Sequence, residues 1–92
     1  MKKFRQGETV YVIKDNFYDH FNTGCPIVNW VEQFSVTNDL APPPECVAFH
    51  AGKVSRHSLE FIPNEIKWRI TRSRRKAETR CRIANQVNGV FQ

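Results

Sequence analysis

The hydrophobic and polar positions divide this chain into a β-patterned body and a helix-patterned arm. Thr9-Val-Tyr-Val-Ile-Lys14 is rich in β-branched and aromatic residues and predicts a strand, with Val10 and Val12 on one face and Tyr11 and Ile13 on the other. Asp15 to Gly24 is rich in Asp, Asn and Gly and predicts a loop carrying three aromatics, Phe17, Tyr18 and Phe21. Folding back over one end of the core outweighs the other reading, an exposed cluster that anchors a partner. Cys25 to Phe34 predicts a second strand with neither face purely apolar, and Pro26 fits only near its start or on an edge.

Val36 to Glu45 contains Pro42, Pro43 and Pro44, which predict an extended polyproline II connector. A single Pro tripeptide is a weak ligand signal for an SH3 or WW domain. Cys46 to His50 and Lys53 to Arg56 predict a third and a fourth strand about an Ala51-Gly52 turn. His57 to Glu60 predicts a short helical turn, and Phe61-Ile62 a last short strand or packing corner.

From Asn64 to Asn88 there is neither Pro nor Gly; Pro63 precedes the stretch and Gly89 follows it. That punctuation predicts one helix, N-capped by Asn64 and with Glu65 in its first turn. At 100° per residue Ile66, Ile70, Ser73, Ala77, Cys81 and Ala84 fall on one narrow stripe. The later members are small, so the distal half is expected to bury little. The fold class is therefore α+β: a small antiparallel β-barrel or curved sheet over residues 1–62, followed by a basic helical arm over residues 63–92.

Charge sharpens this division. Residues 1–62 hold six basic and seven acidic residues, a net of −1, whereas residues 63–92 hold eight basic and two acidic, a net of +6. All eight cations of the arm lie between Lys67 and Arg82, and six of them are Arg, the residue suited to bidentate phosphate or carboxylate contacts. The two signs are not interspersed, as they would be on a merely solvated face. Polyanion contact is the favoured reading, ahead of a solvated helix or an oligomerisation arm. The candidate contact residues are Arg69, Arg72, Arg74, Arg75, Lys76, Arg80 and Arg82. Trp68 stands beside them, to stack on a base or aromatic or to pack on the body, and packing is the favoured role for a Trp in the first turns.

Ninety-two residues make one small domain with an appendage, too short for a large enclosed active site. The chain has no Gly-rich phosphate loop, no HExxH and no Gly-x-Ser-x-Gly. Cys46 with His50 or His57 could pair as nucleophile and base, but no orienting group or oxyanion site marks them. Asp15, Asp19 and Glu32 have the spacing of a solvated loop rather than a metal site. Cys25, Cys46 and Cys81 are odd in number and match no zinc pattern, which points to free thiols in a reducing compartment. No cofactor and no metal is expected, and the protein reads as a non-enzyme. Met1-Lys-Lys-Phe-Arg5 starts like a signal peptide, but no apolar core follows. No apolar run approaches the ~18 residues that span a bilayer, so a cytoplasmic location in a bacterial host is expected.

Several short patterns in the body have a counterpart. Phe4-x-x-Gly7-x-x-Val10-x-Val12, Gly24-x-x-Ile27-Val28, Val47-x-Phe49-x-x-Gly52-x-Val54 and His57-x-Leu59-Glu60-x-Ile62 resemble the small SH3-like barrels of bacterial, phage and ribosome-associated proteins. The resemblance covers residues 4–62 and implies that Gly7 opens the first strand, Gly24 closes the first loop and Leu59 caps the barrel. The Pro42–Pro44 insert departs from the family's tighter turn. The length, neutral body and Arg-rich arm together are similar to phage-encoded anti-CRISPR proteins that act on type I surveillance complexes, type I-F among them. That likeness implies docking on a complex of Cas proteins and guide RNA, with exclusion of target DNA. The alternative is a small RNA- or DNA-binding accessory or regulatory protein that binds free nucleic acid.

Overall fold

The computed structural model describes residues 4–37, 49–50, 52–60 and 62–87, with the side chains of Phe49, His50 and His57 left out. The Pro42–Pro44 connector, Cys46 and Gly89 lie outside the described residues. In chain order the elements are β1 (Thr9–Asp15), α1 (Phe17–Thr23), β2 (Asn29–Thr37), β3 (Phe49–His50), β4 (Lys53–Ser55), α2 (Arg56–Glu60), a 3-10 segment (Asn64–Arg69), β5 (Ile70–Thr71) and α3 (Arg74–Val87). The class is α+β, a small sheet followed by a C-terminal helix.

The five strands stand in the order β3-β4-β2-β1-β5. β1 and β2 are antiparallel from Thr9↔Ser35 to Asp15↔Asn29, and β5 adds to β1 through Tyr11↔Thr71 and Val12↔Ile70. β3 and β4 form the expected hairpin about Gly52, whose φ of 74° is open to glycine at no steric cost. β2 and β4, however, run parallel, from Ser35↔Lys53 to Thr37↔Ser55. The sheet is therefore mixed and open among the described residues, rather than wholly antiparallel. A parallel neighbour requires the chain to cross back to the starting end of the sheet, and residues 38–52 are long enough to do so.

Register decides the two faces. Val10, Val12, Phe34, Val36, Val54 and Ile70 share one side and are buried, and Phe4, Leu59 and Ile62 close over them. Leu59 reaches this cluster from α2, the helical turn that the sequence predicts. The opposite face holds Ile13 and Asn29, both almost wholly buried, and α3 packs across β1, β2 and β5 there.

Three expectations change. The stretch predicted as one helix from Asn64 is broken: Ile70 and Thr71 leave helical geometry to pair with β1, and Ile70 enters the main core. Long-range pairing of two β-branched residues overrides a local pattern with no breaker in it. Helix α3 restarts at Arg74, where Ser73 Oγ accepts from the Lys76 N–H at 3.3 Å, as an N-cap does. Second, Phe17–Thr23 is a helix rather than a loop. It opens with the Phe17 N–H donating to Asp15 Oδ1 and ends on Gly24, at φ 74°, whose N–H donates to His20 O. None of its residues is buried: Phe17, Tyr18 and Phe21 are 57%, 78% and 78% exposed, so they do not cover the core. Third, the second strand starts at Asn29, because Asn16 grips the preceding segment, donating to Pro26 O and accepting from the Val28 N–H.

Candidate nucleic-acid interface

Helix α3 is built on small residues facing the sheet. Ala77, Cys81 and Asn85 recur every four positions and are buried, with Ala84 half-buried beside them. Burial pushes the Cys81 thiol up, only partly offset by the nearby Arg69 charge. The distal half buries more than its composition promises, through a polar clamp. Asn85 Oδ1 accepts from the Asn29 backbone N–H at 2.7 Å and from Asn29 Nδ2 at 3.1 Å, and Asn85 Nδ2 donates to Asn29 O at 3.1 Å. Asn29 Oδ1 in turn accepts from Arg69 Nη1 at 3.2 Å. Every side-chain polar atom of this buried pair is engaged, which fixes the rotation of α3 on the sheet.

The arm's cations fall into two groups. Arg69 is built into the fold: its Nη1 also donates to Ile13 O at 3.0 Å, and its Nη2 lies 3.0 Å from Asp15 Oδ2. Its guanidinium stacks 4.4 Å from the Trp68 ring centroid. Arg72 donates to Glu8 Oε1 and lies 4.3 Å from the Phe4 ring centroid. Burial tends to raise the Glu8 carboxyl. The Arg5 N–H at 2.9 Å and the Arg72 guanidinium outweigh it and hold Glu8 below the usual glutamate range. Arg69 and Arg72 thus hold the arm to the body in this structure.

The second group faces solvent. Arg74 pairs with Glu78 at 3.1 Å, an exposed i,i+4 contact worth about 0.3–0.5 kcal/mol, too little to sequester it. Arg80 Nη1 donates to Trp68 O at 3.0 Å. Arg75, Lys76 and Arg82 are exposed, and no acid among the described residues pairs with them. At 100° per residue Arg75, Thr79, Arg82 and Gln86 form one outward column of α3; Lys76, Arg80, Ile83 and Val87 form the next.

Beside that second column the 3-10 segment and α3 border an open cleft of about 480 Å³. Trp68, Ile83 and Val87 supply its apolar wall, and Asn29, Arg69 and Arg80 its polar one. Trp68, Ile83 and Val87 remain 38%, 52% and 81% exposed. Ile83 and Val87 lie off the predicted apolar stripe; that displacement was the available signal that they face outward. Asn29 and Asn85, polar interruptions on two buried faces, signalled the clamp.

Among the described residues no three His, Cys, Asp or Glu side chains come together as metal ligands, and no helix is long and apolar enough to cross a membrane. The nucleophile–base pairing of Cys46 with His50 or His57 falls outside the described side chains. No family model, curated protein or solved structure matches this chain.

Proposed function

We propose that this chain is a non-catalytic binding protein that lays the outward face of α3 against the phosphates of a nucleoprotein. The observation that carries this reading is the set Arg75, Lys76 and Arg82. They are exposed and unpaired among the described residues, on a helix whose rotation the Asn29–Asn85 clamp fixes. Arg74 and Arg80 flank them. Preorganised cations lose less freedom on binding than a flexible basic tail would. The concrete target implied by the sequence likeness is a complex of Cas proteins and guide RNA, with target DNA excluded from its channel. The SH3-like character of the body belongs to the same proposal, as a fold-level analogy.

The exposed Phe17, Tyr18 and Phe21 favour a target that contains protein over free nucleic acid, because clustered exposed aromatics are the side chains that anchor protein interfaces. The test is recovery of a defined Cas–guide RNA assembly by tagged wild type and by a variant carrying Arg75→Glu, Lys76→Glu and Arg82→Glu, with and without nuclease. Wild type retains the assembly, and the variant loses it. Equal recovery by the charge-reversed variant would refute the reading. Recovery of miscellaneous nucleic acid that nuclease removes would make this a general RNA- or DNA-binding accessory instead.

A further inference from the structure

We propose that the Trp68–Ile83–Val87 cleft is a base-stacking pocket, so that the nucleic acid held by α3 is single-stranded. This rests on the preceding reading of the α3 face and deepens it.

Three features of the cleft point the same way. First, the Trp68 ring already carries a cation on one side, the Arg69 guanidinium at 4.4 Å, yet remains 38% exposed. The Arg69 charge is matched by Asp15 at 3.0 Å, so the pair is a preformed platform rather than a free cation. An aromatic backed in this way, still partly exposed and lining a cleft, has the surface on which single-strand binding sites stack bases. Second, Ile83 and Val87 face the same cleft from α3 and are exposed, giving a base an apolar wall. Third, Arg80 borders the cleft with one Nη held by Trp68 O at 3.0 Å and no acid paired to it among the described residues. It stands one helical turn from Lys76 in the same outward column. A strand whose base enters the cleft therefore finds Arg80 at its nearest phosphate and Lys76 and Arg75 beyond.

The helix dipole agrees with this direction. The phosphates nearest Arg75 and Lys76 would lie at the first turn of α3, where the field favours anions, and the neutral base beside Ile83 and Val87. A duplex uses the same cations but keeps its π faces stacked inside, and it leaves the cleft empty. A volume of about 480 Å³ lies in the usual range for ligand clefts.

The test exploits the chain's two tryptophans. A Trp30→Phe variant of the full chain leaves Trp68 as the only indole reporter. It is titrated with oligo-U, oligo-dT, a duplex of the same length and poly-Glu, each at several matched salt concentrations. The single strands quench Trp68 emission, and the arm that binds tighter tells RNA from DNA. Trp68→Leu, read by the anisotropy of a labelled oligonucleotide and where its far-UV circular dichroism matches wild type, lowers single-strand affinity by about 5-fold or more, the lower edge of a single base–aromatic stacking contact, and leaves the salt slope unchanged. Ile83→Ser, at an exposed position, lowers it by a smaller factor, again with the slope unchanged. Oligonucleotide binding without quenching, or a duplex that competes equally, overturns the pocket. If that binding is also lost with Arg75, Lys76 and Arg82 reversed, the reading of the α3 face survives. Quenching that persists in the charge-reversed variant supports the pocket and removes the α3 face from the interface. Quenching by poly-Glu alone overturns the pocket in favour of an acidic protein segment.

Discussion

Truncation of Asn85 tests whether a buried polar clamp, rather than apolar packing, seats the helix that carries the candidate interface. Asn85→Ala deletes both Asn85 side-chain atoms that bond Asn29 and leaves the Arg69 contact in place. The Asn29 backbone N–H, its Nδ2 and its carbonyl lose bonds of 2.7, 3.1 and 3.1 Å, and Asn29 is only 1% exposed. A buried group left without a partner costs about 1–3 kcal/mol. Taking the low end for each of the three, because water can enter the truncated site, gives a loss of about 3 kcal/mol. Native stabilities run about 5–15 kcal/mol, so this is a large fraction of the total. In urea, with a small-protein slope of about 1 kcal/mol per molar, the midpoint falls by about 3 M. Thr79→Ala, on the exposed face of α3, is the control and changes stability by less than about 0.5 kcal/mol. The cycle of Asn85→Ala with Asn29→Ala isolates the coupling, since the double variant should lose clearly less than the sum of the singles. A loss below about 0.5 kcal/mol for Asn85→Ala, with an unchanged slope, would refute the clamp.

Glu8 binds its proton less readily in the fold than in the unfolded chain, so its contribution is present at neutral pH. It fades as pH falls below the ordinary glutamate range through the depressed folded-state value. Glu8→Gln should flatten the acid limb of a stability–pH profile, and an unchanged limb would show that Arg72 does not act through this carboxylate. Replacing Phe17, Tyr18 and Phe21 together with Ser should leave the urea midpoint within about 0.5 kcal/mol per site, since α1 buries none of them. A cooperative loss of fold would return these aromatics to the core.

The parts of the fold legible in the sequence are those fixed by local chemistry. The alternation of Val10 and Val12 against Ile13 gives β1 its two faces, and Gly52 marks the β3–β4 hairpin. The spacing of Ala77, Cys81 and Ala84 marks the buried side of α3. What escaped the sequence depends on distant partners. Ile70 and Thr71 carry no breaker, and only Tyr11 and Val12, about 60 positions earlier, make them a strand. The parallel pairing of β2 with β4 is likewise set by a crossover rather than by either strand's composition. Helix α1 has no buried stripe, so periodicity could not announce it; Asp15, Asn16 and Gly24 organise it through side-chain and left-handed backbone geometry. For the candidate site, the run of cations is plain in the sequence, but its division into anchors and outward-facing groups is not.

That division follows from where the body keeps its acids. A net charge of −1 over residues 1–62 suggests an electrically indifferent body. Yet Asp15 and Glu8 stand at opposite ends of β1 and its lead-in, and each receives one arginine of the arm, Arg69 and Arg72 respectively. These two contacts bracket the 3-10 segment's end and β5, and they hold the chain where α3 must start. Past Arg72 the body offers α3 no further acid among the described residues; Glu78, on the helix itself, is the one partner recorded there. The helix is then held mainly by features that form no ion pair: the Ser73 cap, the small residues Ala77 and Cys81, the Asn85 clamp and the Arg80 bond to Trp68 O. A helix seated in this way keeps its cations for solvent or a ligand, at the cost of their mutual repulsion along the exposed face. A helix seated by ion pairs would have neutralised them. The polar clamp at Asn85 and the unpaired charges at Arg75, Lys76 and Arg82 are therefore two sides of one arrangement, in which α3 docks without consuming the groups it presents.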